Sequence, residues 1–123
     1  MAYQTINPYT EKLEKTYTEH TDAQVEAIIG KAEEAYQNDW CLRPITMRKA
    51  VITRAASILR EKANEFAETV TNEMGKLFRE ALEEVELSAD ILSYYADNAE
   101  IFLAPEKLKI CDGEAFIEST PLG

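Results

Sequence analysis

Eight apolar residues, Phe78, Leu82, Val85, Ala89, Leu92, Ala96, Ala99 and Leu103, recur in alternating steps of four and three along one stretch of the chain. That spacing follows the turn of an α-helix and puts all of them along one seam. Glu80, Glu83, Glu84, Asp90, Asp97 and Glu100 fall on the other faces, where water can solvate them. Pro105 ends the pattern. A seam of this length serves either a free-standing coiled coil or a long helix packed in a core, and the packed helix is the expectation.

The rest of the chain is organised around that helix. Residues 3 to 17 predict a short extended pair, with turn chemistry at Asn7-Pro8 and Thr10-Glu11 and alternation at Leu13, Lys15 and Tyr17. Thr21 and Gln24 form a capping box, Asp22 adds negative charge at the amino end, and Val25, Ile28, Ile29, Ala32, Ala35 and Tyr36 follow at helical spacing. Asn38-Asp39 closes this helix. Pro44 suits the first turn of the next one, whose expected buried face is Val51, Ala55, Ile58, Leu59, Phe66 and Val70. The stripe weakens between Arg60 and Asn64, which divides it into one helix or two, with Asn64 as the cap of the second. Gly75 is the expected stop. After Pro105, Leu108 to Ile110 and Ala115 to Thr120 predict a hairpin around Asp112-Gly113. Two strands are marginal by themselves, so this hairpin calls for a larger sheet.

Composition narrows the function classes. With 46% hydrophobic residues the 123-residue chain can bury one small core. Its formal charge of -10 works against a phosphate-binding surface, since the 13 basic residues are scattered among 23 acidic ones. No apolar run approaches the roughly 20 residues that span a bilayer. Met1 to Thr5 has no basic or apolar leader character, so a cytoplasmic setting is expected. There Cys41 and Cys111 would be ordinary free thiols.

Covalent oxidation of an aldehyde needs a thiolate, a carboxylate base, an oxyanion donor and a dinucleotide beside them. Cys41 has Arg43 nearby, which can lower a thiol pKa, but no evident base. Cys111 lies at the hairpin turn. The four glycines, Gly30, Gly75, Gly113 and Gly123, are too far apart for a phosphate-cradling Gly-x-Gly-x-x-Gly loop. His20 stands beside Glu19 without further metal ligands, and Glu83, Glu84 and Glu86 point to different faces of their helix.

Three stretches carry a resemblance to a known family: Asn7-Pro8-Tyr9-Thr10, Glu73-Met74-Gly75-Lys76, and Glu114 to Gly123 with its Ser-Thr-Pro-Leu-Gly ending. Between them lie a capped helix ending near Trp40, an Arg-rich helix and a helix bearing Tyr94-Tyr95. In this order they resemble the start of an NAD(P)-dependent aldehyde dehydrogenase, in texture nearest the succinate-semialdehyde dehydrogenase branch. The resemblance implies a mainly α segment of an α/β fold, three to four helices with two short β-hairpins, lacking the dinucleotide-binding sheet. Residues 1–107 would belong to the cofactor-binding domain and 108–123 would begin the hairpin of an oligomerisation arm.

The resemblance also implies that the tyrosine helix flanks the tunnel by which aldehydes reach the thiol, with Leu87, Ile91, Tyr94 and Tyr95 on the tunnel side. The same four residues read equally as core packing. The family's Gly-Gln-x-Cys nucleophile setting and Pro-Trp-Asn-Phe-Pro cofactor segment are not in this sequence. No catalytic or cofactor-binding residue is therefore transferred, and NAD or NADP is expected for the full-length parent only. The expected partners are a second copy or the remainder of the enzyme. Two other readings stand beside this one: a small acidic helical module that binds a partner helix through the Phe78–Leu103 seam, and a scaffold for a separately encoded catalytic fragment.

Overall fold

The computed structural model describes residues 3–120; the Pro121-Leu122-Gly123 step lies outside the described residues. Strands β1 (Tyr3–Ile6) and β2 (Leu13–Tyr17) pair antiparallel, Tyr3 opposite Tyr17. Asn7 builds the turn between them: its Oδ1 accepts from the backbone N–H groups of Tyr9 and Thr10, each at 3.0 Å.

Helix α1 (Asp22–Asn38) starts as its sequence predicts. Gln24 N–H donates to Thr21 Oγ1 at 3.3 Å, and Thr21 N–H donates to Gln24 Oε1 at 2.8 Å. A single 3-10 turn, Trp40–Leu42, leads into α2 (Ile45–Glu61). Pro44 sits one position earlier than expected, as the cap before the helix, because its ψ of 154° is still extended.

The stripe from Ile45 to Met74 is two helices, α2 and α3 (Ala63–Met74). The break falls at Lys62, at φ -113° and ψ 21°, and not at Asn64. One kinked residue suffices because backbone bonds run on through it, Lys62 N–H to Ile58 O and Phe66 N–H to Lys62 O. Asn64 is thus already inside the first turn and caps nothing.

Gly75 terminates α3 in the left-handed conformation, φ 70°, with its N–H bonded to Thr71 O. A Cβ there would meet Pro8 Cγ at 3.0 Å, so the hairpin turn seats directly on the α3 terminus. Thr5 reaches the same corner, its hydroxyl donating to Glu73 Oε1 at 3.4 Å.

Helix α4 (Phe78–Phe102) lies against α2 and α3. The core is built from small residues: Ala81, Val85, Ala89 and Ala96 of α4, Ala56 of α2 and Ala67 of α3 are the buried apolar side chains. Alanine lets helix axes approach closely, so the large side chains on either side are displaced to the rim. Ala55, Ile58, Leu59, Phe66 and Val70 are only half-buried, and Val51 is exposed, where sequence predicts a buried face. Phe78 and Leu103, the two ends of the seam, are also exposed. The middle of the seam, Val85, Ala89 and Ala96, is buried inside the chain, as for a packed helix and not a free-standing coiled coil.

The apolar stripe of α1 meets no such cover. Val25, Ile28 and Ile29 are exposed, and no residue of α1 is buried. Strands β3 (Glu106–Leu108) and β4 (Ala115–Ile117) pair antiparallel, Lys107 opposite Phe116. The first strand begins two residues earlier than sequence predicts, and the tight turn becomes the longer loop 109–114. Lys107 accounts for this register: its ammonium pairs with Glu114 and lies 5.7 Å over the Phe116 ring. Among the described residues, no helix is long and apolar enough to cross a membrane.

Candidate functional site

Leu87, Ile91, Tyr94 and Tyr95 follow one another at helical spacing and share one face of α4. At about 100° per residue that face lies roughly opposite Val85, Ala89 and Ala96. The four side chains are 59%, 47%, 56% and 59% exposed, so core packing is not their role among the described residues. Tyr94 and Tyr95 meet edge to face at 5.5 Å, and both reach Phe102, at 5.9 and 6.1 Å. The result is an aromatic ledge at the carboxyl end of α4, continued towards its centre by Ile91 and Leu87. No ionisable carboxylate or amine belongs to this face quartet, so it can select by shape and apolar contact but cannot pair with an anion.

Ion pairs brace the helices that carry the ledge. Arg60 Nη2 donates to Asp90 Oδ1 at 2.7 Å and to Ser93 Oγ at 3.1 Å, linking α2 to α4. Lys49 Nζ reaches Glu100 Oε1 at 3.0 Å on the same pair of helices. Lys76 bonds Glu84 at 2.5 Å, which holds its ammonium pKa above the ordinary lysine value, with Glu80 and Glu83 adding to the effect.

The thiols are placed away from any such constellation. Cys41 is half-buried and its Sγ donates to Gln37 O at 3.3 Å. The cation that sequence sets near it is committed elsewhere: Arg43 Nε and Nη2 donate to Asp39 at 2.6 and 2.8 Å. That bidentate bond holds the Asp39 carboxyl below its usual pKa. Cys111 is exposed in loop 109–114. His20 lines a shallow depression with Tyr3, Glu19 and Val25, and no group of three or more His, Cys, Asp or Glu side chains among the described residues is arranged to hold a metal ion.

The described residues do not fit a dinucleotide. Gly30 lies within a helix, Gly75 is pressed against Pro8, and Gly113 stands in an exposed loop, so none forms a backbone cradle for phosphate. The described strands form two separate antiparallel pairs and no parallel βαβ unit.

One feature of the site is unforeseen by the sequence reading. Trp40, Ile52, Leu92 and Tyr95 wall a groove of about 310 Å³ between α2 and α4, which Arg48 and Lys49 also line. Its signal was legible: Arg48 sits at helical spacing between Ile45 and Ile52, a cation on an apolar face.

Comparison with known proteins resolves the parentage. The sequence profile of the aldehyde dehydrogenase family matches residues 1–123. The chain belongs to this family. The NADP(+) succinate-semialdehyde dehydrogenase of Deinococcus radiodurans is 42% identical over 121 residues, which is 98% of this chain and 25% of that protein. The probable NADP(+) succinate-semialdehyde dehydrogenase of Synechocystis is 37% identical over 123 residues, 27% of its length.

Among solved structures, the chain superposes on Gox0499 with a TM-score of 0.96 at 46% identity, covering 99% of this chain and 27% of that one. It superposes on the succinic semialdehyde dehydrogenase of Streptococcus pyogenes, solved with NADP+ as the cofactor, with a TM-score of 0.87 at 40% identity, covering 94% and 25%. The four helices and two small sheets are thus those of the amino-terminal part of an aldehyde dehydrogenase fold. The chain resembles succinate-semialdehyde dehydrogenase and spans about a quarter of the length of these relatives.

Proposed function

We propose that this chain is the amino-terminal scaffold of an NADP-dependent succinate-semialdehyde dehydrogenase working in the cytoplasm. Residues 1–107 act as helical support of its cofactor-binding domain, and 108–123 open the hairpin of its oligomerisation arm. Its partners are the rest of that enzyme and, through the arm, a further copy. The preference for NADP over NAD is supported by the relatives named above, which are NADP(+) enzymes.

In this reading the outer face of α4, with Leu87, Ile91, Tyr94 and Tyr95, flanks the aldehyde tunnel. One observation carries it: α4 is apolar on two opposite sides, and only one of them is packed. A helix of that kind lies between two layers. Tyrosine suits a tunnel wall, because its ring is rigid and its hydroxyl tolerates water. The quartet holds no cation, so the carboxylate of succinate semialdehyde must be bound by groups from elsewhere in the enzyme. The thiolate, base and nucleotide site come from elsewhere as well, and these residues by themselves bind no nucleotide and turn over no aldehyde.

The reading is tested by a chimera in which this chain replaces the matched quarter of the Deinococcus radiodurans enzyme. The chimera is expected to reduce NADP+ with succinate semialdehyde, while the 123-residue chain alone is inert. Cofactor-dependent turnover by the isolated chain, or a folded chimera that oxidises no aldehyde, would overturn it.

A further inference from the structure

We propose that the groove between α2 and α4 docks a polypeptide segment from outside these 123 residues, one that presents a carboxylate between apolar side chains. Arg48 is the reason. Of the five arginines, Arg43, Arg54, Arg60 and Arg79 each hold a carboxylate of their own chain. Among the described residues Arg48 alone does not, and its Nε is buried with no hydrogen-bond partner.

The chain has 23 acidic residues against 13 basic ones, so a shortage of carboxylates is not the cause. Glu100, on the facing helix, is taken by Lys49, the residue next to Arg48, at 3.0 Å. A guanidinium in a groove lined by Trp40, Ile52 and Leu92 interacts with an incoming anion more strongly than a fully solvated one does, because less water screens the pair. Leaving such a donor unpaired is unfavourable, which favours an occupant that supplies the acid.

The shape of the surface selects a polypeptide over a small acid. The groove is lined by Trp40, Ile45, Ile52, Leu92 and Tyr95 beside its two cations. A small carboxylate would pair with Arg48 and leave most of a groove of about 310 Å³ empty. A segment carrying an acid with apolar neighbours fills it while pairing with Arg48. This inference is independent of the dehydrogenase reading, since it rests on Arg48 and the groove alone.

Trp40 is the only tryptophan and forms part of the groove wall, so its emission reports occupancy directly. The intact chain is titrated with the blocked peptide acetyl-Leu-Glu-Leu-Leu-amide and with its glutamine counterpart. The glutamate peptide is expected to bind at least about tenfold more tightly, as for a desolvated charge pair. Arg48→Gln should abolish that preference and Arg48→Lys retain part of it, with helix content by circular dichroism unchanged in both. Equal binding of the two peptides, no saturable change in Trp40 emission, or a preference that survives Arg48→Gln would overturn the proposal. So would a concentration-dependent dimer, seen by sedimentation and lost in Arg48→Gln, because the groove would then belong to a second copy.

Discussion

The two apolar faces of α4 are built from different residues and meet different fates. The inner face is short side chains, Ala81, Val85, Ala89 and Ala96, all buried against α2 and α3. The outer face is long ones, Leu87, Ile91, Tyr94 and Tyr95, all exposed. Small residues allow close helix packing within a layer, whereas large ones supply contact area for a second layer. Helix α1 shows the same lesson in simpler form: its stripe is as regular as that of α4, yet none of it is buried. Periodicity states where an apolar face lies and is silent about what covers it.

The contrast between the faces is sharpest under substitution. Ala89 is fully buried, so Ala89→Asp places a charge with no partner in the core and should cost about 3 kcal/mol or more, unfolding much of the chain. Leu87→Ala on the outer face should change stability by no more than about 0.5 kcal/mol. Urea unfolding followed by circular dichroism compares the two directly. Similar losses at both positions would break the distinction between the faces.

Gly75→Ala comes next in size. It adds a Cβ at φ 70° and 3.0 Å from Pro8 Cγ, which should cost about 1–2 kcal/mol and loosen the β1–β2 turn from α3. Hydrogen exchange at Asn7 and Glu11, whose amides are bonded within that turn, would rise along with the loss. Thr21→Ala removes half of the capping box and should cost about 1 kcal/mol, seen as fraying of the first turn of α1.

The smallest effect is electrostatic. Asp39 is held below its usual pKa first by its bond to Arg43, so the pair stabilises the folded state above the unfolded carboxylate pKa. That contribution is lost as pH falls through the lowered folded value, in the acid range below about pH 4. NMR titration of the Asp39 carboxyl should give a midpoint below the ordinary value of 3.8, returning towards it in Arg43→Gln. An unchanged midpoint in the variant would remove Arg43 as the cause.

Much of this architecture was legible in the residues because it depends on local chemistry. Thr21 with Gln24, Gly75 after Met74, and the four-three rhythm of α4 act over a few positions and found their expected places. The departures come from longer range. The strand β3 starts early because Lys107 meets Glu114 and Phe116 across the hairpin. The expected face of α2 and α3 sits at the rim, and the small Ala56 and Ala67 are the residues buried there instead. The link between Cys41 and Arg43 failed for the same kind of reason: Asp39, one turn before Arg43, offers it two oxygens. At Arg48 the residues show a cation on an apolar face, but the groove's second wall exists only once α2 and α4 lie side by side.

The outer face of α4 as a tunnel wall is the claim on which the functional reading stands. In the Deinococcus chimera, the pair Tyr94→Ala and Tyr95→Ala should raise the KM for succinate semialdehyde by about tenfold, a loss of roughly 1.4 kcal/mol of apolar contact, and leave the KM for NADP+ unchanged. An unaltered aldehyde KM, or an equal change for both substrates, would contradict it.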